Sequence, residues 1–271
     1  MPARILTGVF VMLALLAARE RTLLPDGRMQ AVFLDVGQGD SALLTFPDGT
    51  RMLIDGGPDW TTLEALGSRL PFFDRSVDVV LLSHPNSDHM VSLPEVLRRY
   101  RVRTLITAGT PFDSGLYHAL LSGALLRGVK LTAVEADSTI RIADAVLTVL
   151  WPPVPRPHGM NKDVNNDSIV LRLEQGGKRI LFTGDEESIV EKTLLAAGVD
   201  LRADILKIAH HGSVTSSSTG FLLAVHPKTA VISVGKKNPY GHPNPVILRR
   251  LQSLGIDVLR TDEEGDIVFV W

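Results

Sequence analysis

The segment VDVVLLSHPNSDH, residues 77–89, joins a buried strand to a cluster of polar side chains. Residues 77–83 are apolar on both faces, which is typical of a strand covered on both sides of a sheet. The strand leads directly into His84, Asn86, Asp88 and His89. Open α/β sheets place their functional sites at the carboxyl ends of such strands. We therefore expect a site at residues 84–89, with neighbouring strands ending beside it.

Four further predicted strands also lead to Asp or His. They are residues 51–55, ending at Asp55; residues 179–183, followed by Gly184-Asp185; residues 203–208, followed by His210-His211; and residues 229–233, which lead to His242. We expect these five strand ends to form one rim. His and Asp are ligand types that suit Zn²⁺, Mn²⁺ and iron. The rim is therefore predicted to be a metal centre.

The adjacency of Asp88 and His89 constrains the local backbone. We expect a tight loop here, because neither a regular helix nor a strand would aim both side chains at one ion. Pro85 and the nearby glycines favour such a loop. An ion held there would lower the pKa of a bound water to near 7, which makes hydrolysis feasible at neutral pH.

From residue 30 onward the sequence alternates short β runs with amphipathic helices, and it does so in two similar halves. This pattern predicts the α/β class and, more specifically, two sheets packed face to face with helices outside, a four-layer αββα sandwich. Residues 130–134 and 139–151 resemble antiparallel partners. Residues 152–165 carry four prolines and predict an irregular loop. One domain is expected over residues 30–271.

Residues 1–29 are expected to lie outside that domain. Residues 5–18 form an unbroken, largely apolar run, which as a helix would span about 21 Å and so falls short of a hydrocarbon layer of roughly 30 Å. The run is compatible with the apolar part of a signal peptide, with a short membrane anchor or transmembrane stub, or with a buried helix of the domain. Residues 19–29 resemble a linker with a Pro-Asp-Gly turn.

Composition excludes several classes of function. The 271 residues include 28 Lys and Arg against 30 Asp and Glu, and the net charge is −2. A chain so balanced has no global positive field to hold nucleic acid by counterion release alone. The absence of cysteine excludes disulfides, cysteine zinc sites, Fe–S clusters and thiol catalysis. With 45% hydrophobic residues the chain can bury a full core, so disorder throughout is excluded.

Five motifs occur in a fixed order along the chain. They are LIDGG (53–57), SHPNSDH (83–89), FTGD (182–185), AHHGS (209–213) and YGHP (240–243). In combination they resemble the metallo-β-lactamase superfamily. The opening FLDVGQGDS (33–41), with NNDSIVLRL (165–173) and ISVGKKNPYGHP (232–243), resembles the C-terminal domain of the ComEC group of competence proteins. The resemblance covers residues 30–271.

This resemblance implies an αββα hydrolase that cleaves phosphoesters with the help of divalent metal. In the ComEC group the domain is thought to be a nuclease that degrades the DNA strand that is not taken up, and a membrane channel precedes it. The expected partners are therefore single-stranded DNA, the membrane through residues 5–18, and the channel part of a DNA-uptake apparatus. The expected location is the cell membrane or the outside of the cytoplasmic membrane.

The motifs also carry over the roles of individual residues. The residues implied as metal ligands are His84, Asp88, His89, Asp185 and His211. His210 would be a neighbour of His211 or a substitute ligand, and His242 lies where the superfamily has its last ligand or a phosphate-contacting His. The residues expected to be catalytic are His210 or His242, one of which would protonate the leaving oxygen, and Asp55, which would hold the metal loop by hydrogen bonds. The residues expected near the substrate or the attacking water are Gln38, Asp40, Asn166, Asp167, Ser213 and Lys207. Of these, Lys207 would neutralise a phosphate.

The sequence departs from the superfamily pattern at Asn86, where the pattern has His and the ComEC group commonly has Asp. The position of the third motif holds Asn166-Asp167 in place of His. One metal position therefore has a complete set of ligands, and the other lacks some of them. We expect one strongly held ion, Mn²⁺ or Zn²⁺, and a second weak one.

Two other functions stay open at this point. The first is hydrolysis of a different ester, such as a phosphocholine ester or a lactone, because superfamily members share a core and differ in their loops. Alternatively, Asn86 marks an inactive domain that binds single-stranded DNA in a channel. Metal content separates this last alternative from the two enzymes.

Overall fold

The computed structural model describes residues 2–155 and 164–271, without the side chains of residues 2–4. The predicted loop at 152–165 falls largely on residues 156–163, which lie outside the described residues.

The first sheet has seven strands in the described residues. In the order of their hydrogen-bonded neighbours they are β14 (Ile267–Val270), β1 (Gln30–Phe33), β2 (Ala42–Thr45), β3 (Arg51–Ile54), β4 (Val79–Leu81), β5 (Thr104–Thr107) and β6 (Lys130–Ala133). The strands from β14 to β3 are antiparallel, and those from β3 to β6 are parallel. β3 is therefore the central strand, where the pairing changes direction.

The second sheet repeats this plan. Its seven described strands, again in neighbour order, are β13 (Asp257–Arg260), β12 (Thr229–Ile232), β11 (Ile205–Lys207), β10 (Lys178–Phe182), β9 (Val170–Gln175), β8 (Ala145–Trp151) and β7 (Thr139–Ile142). The strands from β7 to β10 are antiparallel and those from β10 to β13 are parallel. β10 occupies the same central position as β3.

Helices cover the outer faces of both sheets. They are α2 (Thr61–Arg69), α3 (Ser87–Met90), α4 (Leu93–Arg99), α5 (Gly115–Leu126), α6 (Ser188–Ala196), α7 (Thr219–Val225), α8 (Pro245–Ser253) and α9 (Thr261–Glu264). One apolar cluster joins the two sheets, for example Phe33 of β1 to Phe182 of β10, whose ring centroids lie 5.6 Å apart. Two further clusters pack α2, α4 and α5 on the first sheet and α6, α7 and α8 on the second. The predicted αββα sandwich is confirmed.

One predicted pairing is wrong. Residues 130–134 and 139–151 were expected to be antiparallel partners, but β6 lies beside β5 in the first sheet and runs parallel to it. Residues 139–151 instead form a hairpin, β7 and β8, at the edge of the second sheet. The chain crosses from one sheet to the other between Ala133 and Thr139, so neighbours in sequence are not neighbours in the fold.

Residues Pro2–Thr22 form a helix, α1. The alternative of a buried helix is wrong, because residues 5–18 are all exposed. The expected linker at 19–29 is also wrong over its first part, since the helix continues to Thr22 and its end is anchored on the domain. Arg19 donates to the Ser68 carbonyl (3.1 Å), and Glu20 accepts from the Phe72 amide (2.8 Å). Within the described part of the chain, we find no helix with the length and apolar character needed to cross a membrane.

Candidate metal centre

The residues that follow β4 form one helical turn. The expectation of a tight loop is wrong here, because Ser87–Met90 is the short helix α3. The turn is fixed at its far end by the Gly56 amide, which donates to the His89 carbonyl (2.6 Å). Within a single turn, Asp88 points to the rim while His89 is fully buried beneath it. The two adjacent side chains thus approach one cluster of ligand atoms from different directions.

The loop between β1 and β2 lies against this turn. The Asp40 amide donates to the Asp88 carbonyl (3.2 Å), and a Cβ built on Gly39 would lie 2.3 Å from that oxygen. Only glycine permits so close an approach between the two backbones. The approach brings the Asp40 carboxylate beneath the rim.

Four predicted ligands converge. His89 Nε2 lies 3.3 Å from Asp185 Oδ1, and His211 Nε2 lies 3.3 Å from Asp88 Oδ2 and 3.5 Å from Asp185 Oδ2. One ligand atom from each of Asp88, His89, Asp185 and His211 lies within 4.8 Å of all the others. They follow β4, β10 and β11, so both sheets contribute to one cluster.

The donor atoms of this cluster fit a divalent cation. His89 Nε2 and Asp185 Oδ1 are buried and, among the residues described, have no hydrogen-bond partner. Buried polar atoms are almost always satisfied, so two such atoms 3.3 Å apart indicate a ligand shared between them. Two imidazoles and two carboxylates form a donor set that first-row divalent metals accept. The donor set of this cluster therefore fits a divalent metal ion.

Outer hydrogen bonds hold both imidazoles in place. His89 Nδ1 lies 2.9 Å from Asp55 Oδ2, and the Ser83 amide and hydroxyl each donate to Asp55 at 2.7 Å. His211 Nδ1 lies 3.0 Å from the Ser233 carbonyl. A carbonyl only accepts, so neutral His211 carries its hydrogen on Nδ1 and directs the Nε2 lone pair into the cluster. Such partners fix the tautomer and orientation of metal-binding histidines.

The structure corrects the expectation for Lys207 and places Asp40 beside the predicted ligand His211. Lys207 is only 3% exposed, and its ammonium pairs with the carboxylate of Asp40, which also lies 3.3 Å from His211 Nδ1. The side chain of Lys207 lies on the same face of β11 as Ile205, which belongs to the apolar cluster between the sheets. Its ammonium therefore balances charge beneath the metal ligands and does not face a substrate phosphate.

The groups of the cluster shift one another's pKa. Burial alone would lower the pKa of His211, but the carboxylates of Asp185 and Asp40 raise it to about 9. Burial would raise the pKa of Asp185, but the charges of His211 and His89 hold it well below its usual value. The protein groups alone thus alternate positive imidazoles with negative carboxylates. A bound cation would take over the role of the imidazole protons.

His84 lies beside this cluster but outside the group of four. Its ring centroid is 4.2 Å from that of His89, and its Nδ1 lies 3.1 Å from the Ser83 hydroxyl. Its Nε2 is buried and, in the described part of the structure, has no hydrogen-bond partner. Burial and the charge of His89 lower the pKa of His84 to about 3, so the ring is neutral and able to bind a metal. A second metal position at His84 stays a prediction.

Asn86 is hydrogen-bonded to the segment that precedes β9. Its amide nitrogen donates to Asn165 Oδ1 (2.6 Å), which lies on a turn of 3-10 helix, Val164–Asp167. The next residue, Asn166, exchanges two hydrogen bonds with Glu187: its Nδ2 donates to Glu187 Oε2 (3.3 Å), and its Oδ1 accepts from the Glu187 amide (3.1 Å). These amides join the two ligand-bearing sheets along one wall of the site.

The two adjacent histidines after β11 face different ways because both adopt left-handed backbone conformations. His210 has φ 51° and His211 has φ 54°. This conformation is uncommon outside glycine, and it recurs at functional sites. His211 is buried, while the side chain of His210 is 23% exposed, with Nε2 4.0 Å from Asp185 Oδ2. The ring centroid of His242 lies 5.9 Å from that of His210.

Most of the expected substrate-contacting residues are buried. Asp40, Asn166, Asp167, Ser213 and Lys207 are each less than a tenth exposed. Ser213 Oγ lies 3.0 Å from Thr215 Oγ1 within its own loop, and Gln38 Oε1 accepts from the Gly235 amide (3.3 Å). These side chains support the loops of the rim. The accessible polar groups nearest the cluster are instead Asp88, Glu187, His210 and His242.

Sequence reasoning assigned no role to Ser83, Ser233 or Glu187. Ser83 belongs to the motif SHPNSDH and directly precedes His84. That position was the available signal that its amide and hydroxyl could bind Asp55. Ser233 acts through its backbone carbonyl, which any residue possesses, so its sequence carries no signal. Glu187 ends the acidic run Asp185-Glu186-Glu187, and the sequence does not show which of these carboxylates faces the site.

Comparisons with known proteins place this geometry in context. Residues 34–236 match the family model of the metallo-beta-lactamase superfamily. ComE operon protein 3 of Bacillus subtilis is 33% identical over 87% of this chain and 32% of its own length, and competence protein ComA of Neisseria gonorrhoeae is 32% identical over 90% and 33%. The chain thus spans about a third of the length of these relatives. Endoribonuclease ysh-1 of Neurospora crassa is 26% identical over 67% of this chain and 23% of its own length.

Among solved structures, the metallo-beta-lactamase fold protein YhfI of Bacillus subtilis superposes with a TM-score of 0.58. It is 12% identical and covers 90% of this chain and all of its own. At that identity the likeness concerns the fold alone.

Proposed function

This chain belongs to the metallo-beta-lactamase superfamily as a metal-dependent hydrolase, and we propose that it cleaves phosphodiester bonds of DNA during uptake. The observation that carries this proposal is the convergence of Asp88, His89, Asp185 and His211 on one point at the rim. The relatives named for competence support a DNA-uptake role, and the relative named endoribonuclease supports nucleic acid as the substrate class.

The four clustered side chains would hold the ion, which we propose to be Mn²⁺ or Zn²⁺. A divalent ion in this position supplies an acidified water and positive charge beside the scissile phosphate. Asp55 and Ser233 hold the two imidazoles with Nε2 facing the ion. The Asp40–Lys207 pair keeps the charge beneath His211 balanced, so the anionic cluster is not left with an uncompensated buried carboxylate.

We propose that His210 or His242 protonates the leaving oxygen. His210 is the nearer, with Nε2 4.0 Å from Asp185 Oδ2 and Nδ1 3.9 Å from Glu187 Oε1. The ring of His242 lies 5.9 Å from the ring of His210. Burial and the charges of His211 and His210 lower the pKa of His242. His242 therefore suits binding of a phosphate oxygen through a neutral imidazole.

The exposed apolar helix α1 supports a membrane-associated location. The large apolar side chains between residues 5 and 16 are all exposed in the structure. We propose that they contact the membrane or the channel part of a longer DNA-uptake protein. In that arrangement the domain lies at the membrane surface, outside the cytoplasm.

Cleavage of fluorescently labelled single-stranded DNA by the whole chain, in detergent, tests the proposal. The protein is treated with EDTA and then supplied with Mn²⁺, Zn²⁺ or Mg²⁺, and its metal content is measured on the same sample. We expect cleavage that EDTA abolishes and one of these ions restores. The Asp88→Ala variant, with cooperative unfolding intact, is the matched control for loss of the ion.

Two outcomes would overturn the proposal. Bound metal without DNA cleavage would favour another ester as substrate, and a phosphocholine ester and a lactone would then be assayed. A protein that binds single-stranded DNA but holds no metal and does not cleave would favour the inactive channel domain. Asn86 would then mark the loss of activity.

A further inference from the structure

The loop between β12 and α8 presents an exposed aromatic ring beside two lysines. Lys236, Lys237 and Tyr240 are all exposed, and the tyrosine side chain is 68% accessible. In a chain of net charge −2, the two adjacent ammonium groups of Lys236 and Lys237 form a local positive patch. An exposed ring next to such a patch is the combination that single-stranded nucleic acid uses.

The loop is held in one conformation from within. The side-chain nitrogen of Asn238 donates to the carbonyls of Gly235 (2.9 Å) and His242 (2.7 Å), and its oxygen accepts from the His242 amide (3.0 Å). One side chain thus joins both ends of the loop and leaves Tyr240 at the tip. A ring fixed in advance loses little conformational freedom when it binds a partner.

The loop is also fixed relative to the metal ligands. The Gly235 amide donates to Gln38 (3.3 Å), which lies in the loop between β1 and β2. At the other end of the loop, a Cβ built on Gly212 would lie 2.7 Å from Pro243 Cβ, so the loop touches the residue after His211. The position of Tyr240 is therefore set by the two loops that build the metal centre.

A line of rings leads from Tyr240 to the cluster. The Tyr240 ring stacks on His242 at 5.8 Å with an interplanar angle of 25°. His242 is 5.9 Å from His210, and His210 Nε2 is 4.0 Å from Asp185 Oδ2. The outer face of Tyr240 thus lies two rings from the point where a phosphate would be cleaved. A base stacked on Tyr240 would therefore lie on the His242 side of the cluster.

We propose that Tyr240 is a stacking platform for a base of single-stranded nucleic acid, and that Lys236 and Lys237 bind its flanking phosphates. Each base has two faces, and in a duplex both are covered by neighbouring base pairs, so the platform selects unpaired strands. This inference rests on the proposed function and specifies the state of its substrate. Tyr240 is a specificity residue and takes no part in the chemical step.

The test compares Tyr240→Ala with Tyr240→Phe in the whole chain. The substrates are a fluorescein-labelled oligodeoxythymidylate and an abasic oligomer of the same length. We expect Tyr240→Ala to raise the KM for the thymidylate about 10-fold without changing kcat, because stacking contributes roughly 1–3 kcal/mol per base. Tyr240→Phe keeps the ring and should behave as wild type. Neither variant should change the KM for the abasic oligomer.

A binding measurement separates this inference from the proposed function. Fluorescence anisotropy in EDTA reports affinity where metal-dependent cleavage does not occur. The Kd for the thymidylate should rise about 10-fold in Tyr240→Ala, with stacking as the cause. The Lys236→Ala/Lys237→Ala variant should weaken both oligomers equally and lower the salt dependence of binding, because both oligomers keep their phosphates. Phe72→Ala, which removes an exposed ring elsewhere, is the control.

Each result then has one meaning. Cleavage with equal KM and Kd in wild type and Tyr240→Ala would overturn the platform and leave the proposed function standing. Binding that needs Tyr240, without cleavage in any metal, would leave the platform and overturn the nuclease. A loss in Tyr240→Phe as large as in Tyr240→Ala would overturn the platform, since the hydroxyl would then be responsible.

Discussion

Asp55 and Asp185 follow the central strands of two sheets that share one plan, yet the two carboxylates have different surroundings. Both are almost completely buried. Asp55 accepts hydrogen bonds from the Ser83 amide, the Ser83 hydroxyl and His89. Asp185 Oδ1, in contrast, has no hydrogen-bond partner in the described structure and faces His89 Nε2. A carboxylate saturated by protein donors positions a ligand, whereas one left unsaturated is available to the ion.

The largest effect should come from Asp185. Asp185→Asn removes one of the two anionic ligands and leaves a shape of nearly the same size. We expect metal-dependent cleavage to fall on the order of 10³-fold, because the ion supplies several kcal/mol of transition-state stabilisation. Cleavage assays and metal analysis on one sample check this, and cooperative thermal unfolding shows that the fold persists. Full activity in Asp185→Asn would remove the ligand assignment.

A smaller effect is expected at the matching position. Asp55→Asn keeps the hydrogen bonds possible at one oxygen but weakens the support of His89. Loss of such an outer partner typically lowers metal affinity by about 10–100-fold. Calorimetric titration with Mn²⁺ measures this, with wild type and Asp185→Asn as the two limits. If Asp55→Asn lost metal as completely as Asp185→Asn, the contrast between the two carboxylates would disappear.

The pair of Asp185 and His211 should also make the stability of the fold depend on pH. Burial opposes the charge of His211, but Asp185 and Asp40 raise its pKa from 6.5 to about 9. A raised pKa stabilises the fold fully below pH 6.5, and this stabilisation is lost as the pH rises through 9. EDTA-treated protein should therefore melt several degrees lower at pH 9 than at pH 6.5.

Mn²⁺ should reverse this trend, because it binds the neutral imidazole and stabilises the fold more as the proton leaves. Melting curves with and without Mn²⁺ across this interval are the measurement. An EDTA-treated protein equally stable at both pH values would show that His211 is not held as a cation by the carboxylates.

The smallest effect is expected at Asn86. Asn86→Asp loses the bond donated to Asn165 Oδ1, which contributes about 1 kcal/mol, and adds a carboxylate two residues after His84 in the sequence. We expect activity to be kept or modestly raised, with tighter binding of a second ion. Asn86→Ala removes the same bond without adding charge and serves as the control. No change in activity or metal stoichiometry would mean that one ion suffices.

The sequence was sufficient to predict where the chemistry lies, and less so how it is supported. Polar residues after apolar strands mark a rim, because strand ends meet at one edge of a sheet. Asp88, His89, Asp185 and His211 were found in this way and come together as expected. Lys207 was misjudged because a lysine at a strand end resembles a surface cation until the buried Asp40 from the other sheet is seen.

Errors in the fold have a related cause. β6 and β7 are neighbours in sequence and look like a hairpin, but tertiary pairing places them in different sheets. Histidine adopts a left-handed backbone more often than most residues, but this weak preference does not predict it at both His210 and His211. Such features depend on contacts distant in sequence, which one sequence does not display.

The pairing of β14 with β1 sets an order of events during synthesis. Residues 30–33 lie beside residues 267–270, so the first sheet stays open at one side until almost all of this sequence has left the ribosome. Pairings so distant in sequence form slowly. Asp88 and His89 emerge early, but the partners that complete their cluster arrive only with the second half. The cluster of four side chains is thus completed late, and an incomplete chain lacks it.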